Sequence, residues 1–411
     1  MLYDIGFFMF SLFYLPTLIF KGKLHGDFLE RFGIYGFAKK RILEAAKGAI
    51  WIQAVSVGEV GVCKSLVAGL RSGFPDRKII ISTITKTGND LAKKLFSHDA
   101  IIVYFPLDFS VIVKKVVALI RPSVYIMIET EIWPNLLKEM SRHKIPSILI
   151  NGRISDRSFG RYRIAKPFLA HTLKRIGRFS MQSGLDAERI ASLGAPEGRV
   201  DITGNMKFDV EIKTDSRAME TLRETLALKA DEELLVAGST HPGEEEIIIG
   251  SFMELLADFP KLKLLIAPRH IERGPEVREA VTKAGLGTPR AFVLDKIGYL
   301  VSAYSFATLV FVGGSLVRHG GQNPIEPAIF EKAVIFGPHM FNFKDISAAF
   351  LKNKAAIQVS NGEELVEAAR ALLKDDATRS RLGRRARETV MSGRGATEKN
   401  LDMIKKMLSP E

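Results

Sequence analysis

Residues 307–327 read ATLVFVGGSLVRHGGQNPIEP. The apolar run 307–312 reads as a buried strand, and it breaks into Gly313, Gly314, Gly320 and Gly321. The spacing then predicts a helix whose first turn begins at or near Pro324. A glycine-rich strand-to-helix turn lets backbone N–H groups approach an anion, and the helix start adds partial positive charge. Glu326, one turn in, is placed to accept hydrogen bonds from ribose hydroxyls. The stretch reads as one built to hold a nucleotide.

The same strand-to-helix rhythm extends outward on both sides. Strands are expected at 50–55, 78–82, 101–104, 123–128, 146–150 and 199–203, with helical spacing between them, as in 60–71 and 110–120. Around 208–228 the pattern lapses into a polar, charged stretch. It restarts with strands at 233–238, 262–267, 291–294, 307–312 and 333–336, and helices at 243–257, 272–284, 325–331 and 363–374. The reading is two doubly wound α/β domains, 24–209 and 229–375. A connection, 210–228, joins them; an apolar segment, 1–23, precedes them and a helical segment, 376–411, follows. Two such domains imply a cleft with ligands at the carboxyl ends of the strands. That arrangement suits nucleotide-sugar glycosyltransferases, sugar epimerases and two-domain binding proteins, and fold alone does not choose.

At 411 residues the chain is too long for one ordinary core. A single cysteine, Cys63, excludes a disulfide framework and a Cys/His zinc cluster. The net charge of +13 favours anionic partners, but the basic residues are dispersed and no nucleic-acid motif is present. Residues 5–20, IGFFMFSLFYLPTLIF, carry no charge and are followed by Lys21 and Lys23. As a helix they span roughly 24 Å, a little short of a hydrocarbon core. They read as a retained membrane anchor with the body on the cytoplasmic side, since neither a basic n-region nor a small-residue cleavage site flanks them. A buried helix of the first domain is the alternative.

Several strand ends carry chemistry. In QAVSVGEV (53–60), Glu59 lands at the mouth of a helix, where it either takes a proton from a hydroxyl or merely complements the helix dipole. In IETEIWPN (128–135), Glu129 and Glu131 share a face if the backbone is extended; Glu129 reads as functional and Glu131 as a first-turn acid before Pro134. Lys207, in NMKFD (205–209), is either solvated or set against an anion. In GSTHPGEEE (238–246), Ser239 or Thr240 is expected to cap a helix opened by Pro242. Arg269, in APRH (267–270), ends a strand with a fork suited to phosphate or carboxylate. No Walker loop, HExxH, GxSxG or Asp-x-Asp pair occurs, so arginine, lysine and helix starts would have to stabilise a leaving phosphate.

SVGE (56–59), ETEIWPN (129–135), NGRISDRS (151–158), GNMKFD (204–209), APRH (267–270), GGSLVRHGGQNPIEP (313–327) and FGPHMFNFKD (336–345) form an ordered series. With LERFGIYG (29–36), that series closely resembles the 3-deoxy-D-manno-octulosonic acid (Kdo) transferases over nearly the whole chain. The resemblance implies a GT-B fold: two doubly wound Rossmann-like domains facing a central cleft, with an N-terminal hydrophobic anchor helix. It implies inverting transfer of Kdo from CMP-Kdo to a lipid A precursor, lipid IVA, at the cytoplasmic face of the inner membrane, with no metal and no cofactor. Glu59 would be the general base, and Glu129 and Lys207 transition-state stabilisers. Pro268, Arg269, Ile297, Gly298, Tyr299, Asn323, Pro324, Ile325 and Glu326 would contact CMP. Ile297–Tyr299 stands where the family usually has Met-Gly-Glu, and Gln322 where it has His. The competing readings are another GT-B enzyme acting on a UDP-sugar, whether transferase or 2-epimerase, and a membrane-tethered anion-binding protein.

Overall fold

The computed structural model describes residues 3–9 and 27–408. The chain forms two compact units, Met1–Val210 with Gly393–Glu411, and Glu211–Ser392.

The first unit holds strands β1 (Ile50–Gln53), β2 (Ile79–Thr83), β3 (Ile101–Tyr104), β4 (Val124–Ile128), β5 (Ser147–Gly152), β6 (Arg178–Met181) and β7 (Val200–Ile202). They lie parallel in the order β3-β2-β1-β4-β5-β6-β7. Successive side chains alternate between two cores. Ile50, Ile52, Ile79, Ile81 and Ile126 pack with helices Val57–Gly73, Lys86–Phe96 and Ala396–Leu408. Trp51, Tyr125, Met127 and Leu149 pack with Ser110–Ile120, Pro134–Arg142 and Lys166–Leu173. Burial on both faces is why these strands read as unbroken apolar runs.

The second unit holds β8 (Glu233–Thr240), β9 (Leu262–Pro268), β10 (Ala291–Val293), β11 (Leu309–Val312), β12 (Ala333–Phe336) and β13 (Ile357–Gln358). Their order is β10-β9-β8-β11-β12-β13, again all parallel. Leu235, Ala237, Leu264, Ile266, Leu309 and Phe311 face helices Glu245–Asp258, Gly274–Lys283 and Gly362–Lys374. Val236, Val310 and Phe336 are buried as well, and helices Leu300–Phe306 and Asp376–Ser392 lie against β8 and β12. In each sheet the chain order reverses once, at β1/β4 and at β8/β11.

Several expectations change. β6 and β13 have no expected counterpart: β6 is the mixed sequence RFSM, and β13 has two residues. The stretch 210–228 is largely helical, and from Glu211 onward it belongs to the second unit. Asp215 caps Ser216–Leu226 by accepting from the Ala218 N–H at 2.8 Å, and Ala218, Leu222 and Leu226 are buried one turn apart. Residues 376–411 divide, with Asp376–Ser392 in the second unit and Ala396–Leu408 in the first.

Residues 10–26, which carry most of the expected anchor, lie outside the described residues. Residues 3–9 are helical: Asp4 accepts from the Ser110 N–H and from Asn135 Nδ2, both at 2.9 Å. Tyr3 stacks on Phe168 and Phe7 meets Phe109 edge-on. Among the described residues no helix is long and apolar enough to cross a membrane.

Candidate functional site

The first unit gathers carboxylates where its strand order reverses. After β1, Ser56 takes an extended backbone and caps the helix Val57–Gly73. Glu59, in its first turn, folds back: the Val55 N–H donates to Oε2 at 2.6 Å and the Ser56 hydroxyl to Oε1 at 2.9 Å. This is a relative of the capping box, and it leaves Glu59 only 7% exposed. Burial is the main force on its pKa, which rises to about 8. The two hydrogen bonds oppose that rise, and the charges of Glu129 and Glu131 add to it.

Those two residues follow β4, the neighbour of β1. Glu129 has φ 58°, a left-handed backbone rare for a residue with a side chain, and its N–H donates to the Ile150 carbonyl at 2.9 Å. The expectation that Glu129 and Glu131 share the face of an extended segment therefore fails, because the chain turns at Glu129. The carboxylates still act on one another. Burial first, and Glu129's charge after it, push Glu131 up to about 7, against a 3.1 Å bond from Trp133 Nε1. With Glu59 raised to about 8 and Glu131 to about 7, these two carboxyls hold at least one proton near neutrality, which is the condition for proton transfer. Pro134 opens its helix as expected, but the cap comes from buried Asp108, which accepts from the Asn135 and Leu136 N–H groups.

Lys207 lies in the same unit, half-buried on a short 3-10 turn, Met206–Asp209. Asn205 Oδ1 accepts from the Lys207 N–H at 2.9 Å, and Asn151 Oδ1 from the Met206 N–H at 3.0 Å. Asp209 locks the turn onto the C-terminal helix by accepting from Gly395 and Thr397 N–H groups at 2.7 and 2.5 Å. Lys207 is thus placed by an anchored turn within the first unit.

In the second unit the glycine-rich turn is filled from within. Glu244 is fully buried, and its carboxylate accepts from the N–H groups of His241 (3.0 Å), Gly314 (2.5 Å), Ser315 (2.8 Å) and Leu316 (2.9 Å). The expected cradle of free amides at 313–316 is therefore occupied by a protein carboxylate. A Cβ on Gly313 would sit 2.5 Å from the Ser239 carbonyl oxygen, so this glycine serves close approach of the turn to β8. The helix after β8 also starts later than expected, at Glu245, and no side chain caps it. The Thr240 hydroxyl instead donates to the Glu245 carboxylate at 2.9 Å.

Beyond the turn, Asn323 Oδ1 accepts from the Ile325 N–H at 3.1 Å and its Nδ2 donates to Glu326 at 3.2 Å. Pro324 precedes the short helix Ile325–Ile329. Burial raises the pKa of Glu326, while the Asn323 bond and the charge of Arg269 oppose the rise. Arg269, exposed just past Pro268, is thereby brought into electrostatic range of Glu326. Ile297 and Gly298 are exposed and Tyr299 is half-buried, and no hydrogen bond or ion pair ties the three to that group.

Three histidines complete this end of the sheet. The rings of His241 and His319 stack at 4.1 Å and 11°, His270 lies edge-on to His241 at 5.9 Å, and Gln322 Nε2 is 3.2 Å from His241 Nε2. Burial first, then the basic neighbours His319, His270, Arg269 and Arg273, lower the His241 pKa to about 4. Sequence reasoning passes over Glu244 and these histidines. Their local signal is the strings STHPGEEE, APRH and RHGGQN, the first two at strand ends and the third in the loop after β11.

A family profile described as 3-Deoxy-D-manno-octulosonic-acid transferase (kdotransferase) matches residues 27–210. The 3-deoxy-D-manno-octulosonic acid transferase of Haemophilus influenzae is 36% identical over 393 residues, covering 92% of this chain and 91% of that protein. The chain belongs to the Kdo transferase family. A further Kdo transferase, from Chlamydophila psittaci, is 32% identical, covering 82% of this chain and 80% of that one. Among solved structures, the UDP-GlcNAc 2-epimerase of Neisseria meningitidis superposes with a TM-score of 0.62 at 13% identity, over 87% of this chain and the whole of the epimerase. That likeness shows a shared fold of two parallel-sheet α/β domains. Membership of the Kdo transferase family comes from the sequence, and the strand ends described above are where its ordered motifs fall.

Proposed function

We propose that this protein is an inverting glycosyltransferase that moves Kdo from CMP-Kdo to a hydroxyl of a lipid A precursor in lipopolysaccharide synthesis. The observation that carries the proposal is Glu59, a buried carboxyl at the β1/β4 reversal with a pKa pushed up to about 8, in a chain 36% identical to a Kdo transferase. A base of that strength matches the task of taking a proton from a sugar hydroxyl.

Glu59 removes the acceptor proton as the hydroxyl oxygen attacks the anomeric carbon from the face opposite CMP. The carbon–oxygen bond to the CMP phosphate breaks in the same displacement, which inverts the centre. Glu129 offsets the positive charge of the oxocarbenium-like state, and Lys207 and Arg269 meet the negative charge that grows on the phosphate. Glu326, half-buried and oriented by Asn323, accepts from the ribose hydroxyls. Pro268, Ile297–Tyr299 and Asn323–Ile325 complete the nucleotide contacts. With Ile297 exposed and Tyr299 in the third position, the turn at 297–299 contributes its backbone around Gly298.

The protein works at the cytoplasmic face of the inner membrane. Its support is the uncharged run 5–20, the lysines after it, and a net charge of +13 that suits a phosphorylated lipid surface. Mass spectrometry of the lipid formed from CMP-Kdo and a tetraacyl lipid A precursor tests the reaction, and membrane fractionation tests the location. A product lacking added Kdo, or sugar transfer that UDP-sugar donors support equally well, would overturn the proposal.

A further inference from the structure

The segments after three neighbouring strands of the second sheet each bring in an imidazole: His241 directly after β8, His270 just past β9, and His319 in the glycine-rich loop that follows β11. His241 is 8% exposed, whereas His270 and His319 are exposed. With the Gln322 amide as donor, His241 Nε2 accepts, so its proton sits on Nδ1. Stacked at 4.1 Å, the two rings do not both carry charge, and the buried one stays neutral. His319 is then an exposed ring held flat on a fixed neighbour, with its N–H edge free to meet a ligand.

The donor brings two anions on one anomeric carbon, the CMP phosphate and the sugar's own carboxylate. The amides of the glycine turn cannot serve either, because Glu244 accepts from Gly314, Ser315 and Leu316. Arg269 is assigned to the phosphate. The second anion needs donors of its own, and the exposed imidazoles of His319 and His270 stand at this end of the sheet.

We propose that His319, seated on His241 and flanked by His270, binds the carboxylate of the donor sugar, with Gln322 and His241 as positioning residues. The assignment rests on the Kdo-transfer reading. It makes this cluster the device that selects an acidic sugar over a neutral one, since a neutral sugar leaves the imidazole N–H groups unpaired.

His319→Ala is the test, read against CMP-Kdo and against CMP alone, which lacks the sugar carboxylate. The expected result is a donor KM raised at least ~10-fold, as for loss of a hydrogen bond to a charged group, with the inhibition constant for CMP within about 2-fold. His319→Gln, which keeps an N–H donor, recovers part of the loss. An unchanged donor KM, or a CMP affinity that falls in step with it, overturns the assignment. If the wild-type protein turns over CMP-Kdo while the His319 variants match it, only this assignment fails. If the wild type releases no CMP from CMP-Kdo with acceptor present, the Kdo-transfer reading fails and takes this one with it.

Discussion

The Glu244 carboxylate accepts from the Gly314 N–H at 2.5 Å, so a buried acid from one strand end holds the glycine turn of its neighbour. Two more turn amides and the His241 N–H share the same carboxylate. Glu244→Gln turns an NH2 toward N–H groups that need an acceptor, and the expected loss is roughly 2–4 kcal/mol of folding stability. Urea unfolding measures it. A midpoint equal to that of the wild type would mean the turn holds its shape without this anion.

Glu59→Gln keeps the shape and the Ser56 contact but cannot take a proton. Turnover should fall by at least ~100-fold, typical of losing a general base. CMP affinity should stay as it is, because the nucleotide contacts lie in the other unit. Steady-state rates and a CMP titration check both halves. Near-wild-type turnover would leave Glu59 as a helix-capping residue only.

Glu326→Ala separates nucleotide from lipid. The side chain is held by Asn323 and lies within the field of Arg269, and a ribose hydrogen bond to a charged acceptor contributes about 1.5–3 kcal/mol. CMP binding should weaken ~10-fold or more while the KM for the lipid acceptor moves little. Calorimetric titration with CMP decides it, and unchanged affinity would remove Glu326 from the ribose.

Both sheets are legible in the sequence because parallel strands buried on two faces spell continuous apolar runs, as 101–104 and 333–336 do. RFSM escapes because a mixed four-residue string carries no period. The 210–228 stretch misleads because charged residues hide three apolar positions one helical turn apart. At the site, Glu59 is readable from its place after a strand, and so is Arg269. The use of Glu244 is not, because the amides it meets lie about 70 residues away in the chain. His241 and His319 meet for the same reason: β8 and β11 are neighbours in space only. Local pattern shows which strand ends carry chemistry, and the crossover of the sheet decides which of them meet.

The pKa of Glu59 links activity to stability with a definite sign. In the unfolded chain this carboxyl ionises near its ordinary value of 4.5, and in the folded chain near 8. Below about pH 4.5 both states hold the proton and the group costs nothing. As the pH rises toward 8 the unfolded chain sheds the proton that the folded one keeps, and stability is progressively lost until the folded group ionises too. Glu131, raised to about 7, acts in the same direction. The kcat/KM of the wild type should therefore climb from about pH 6 through about 8, as the base is freed. Over the same range Glu59→Gln should gain thermal stability relative to the wild type, since its amide never ionises. Lost hydrogen bonds shift the variant's Tm by a constant amount, so the informative quantity is how the difference in Tm changes from about pH 5 to about pH 9. A difference that stays flat would put the folded pKa of Glu59 near that of an ordinary carboxylate. Its burial beside Glu129 and Glu131 would then have no bearing on proton transfer.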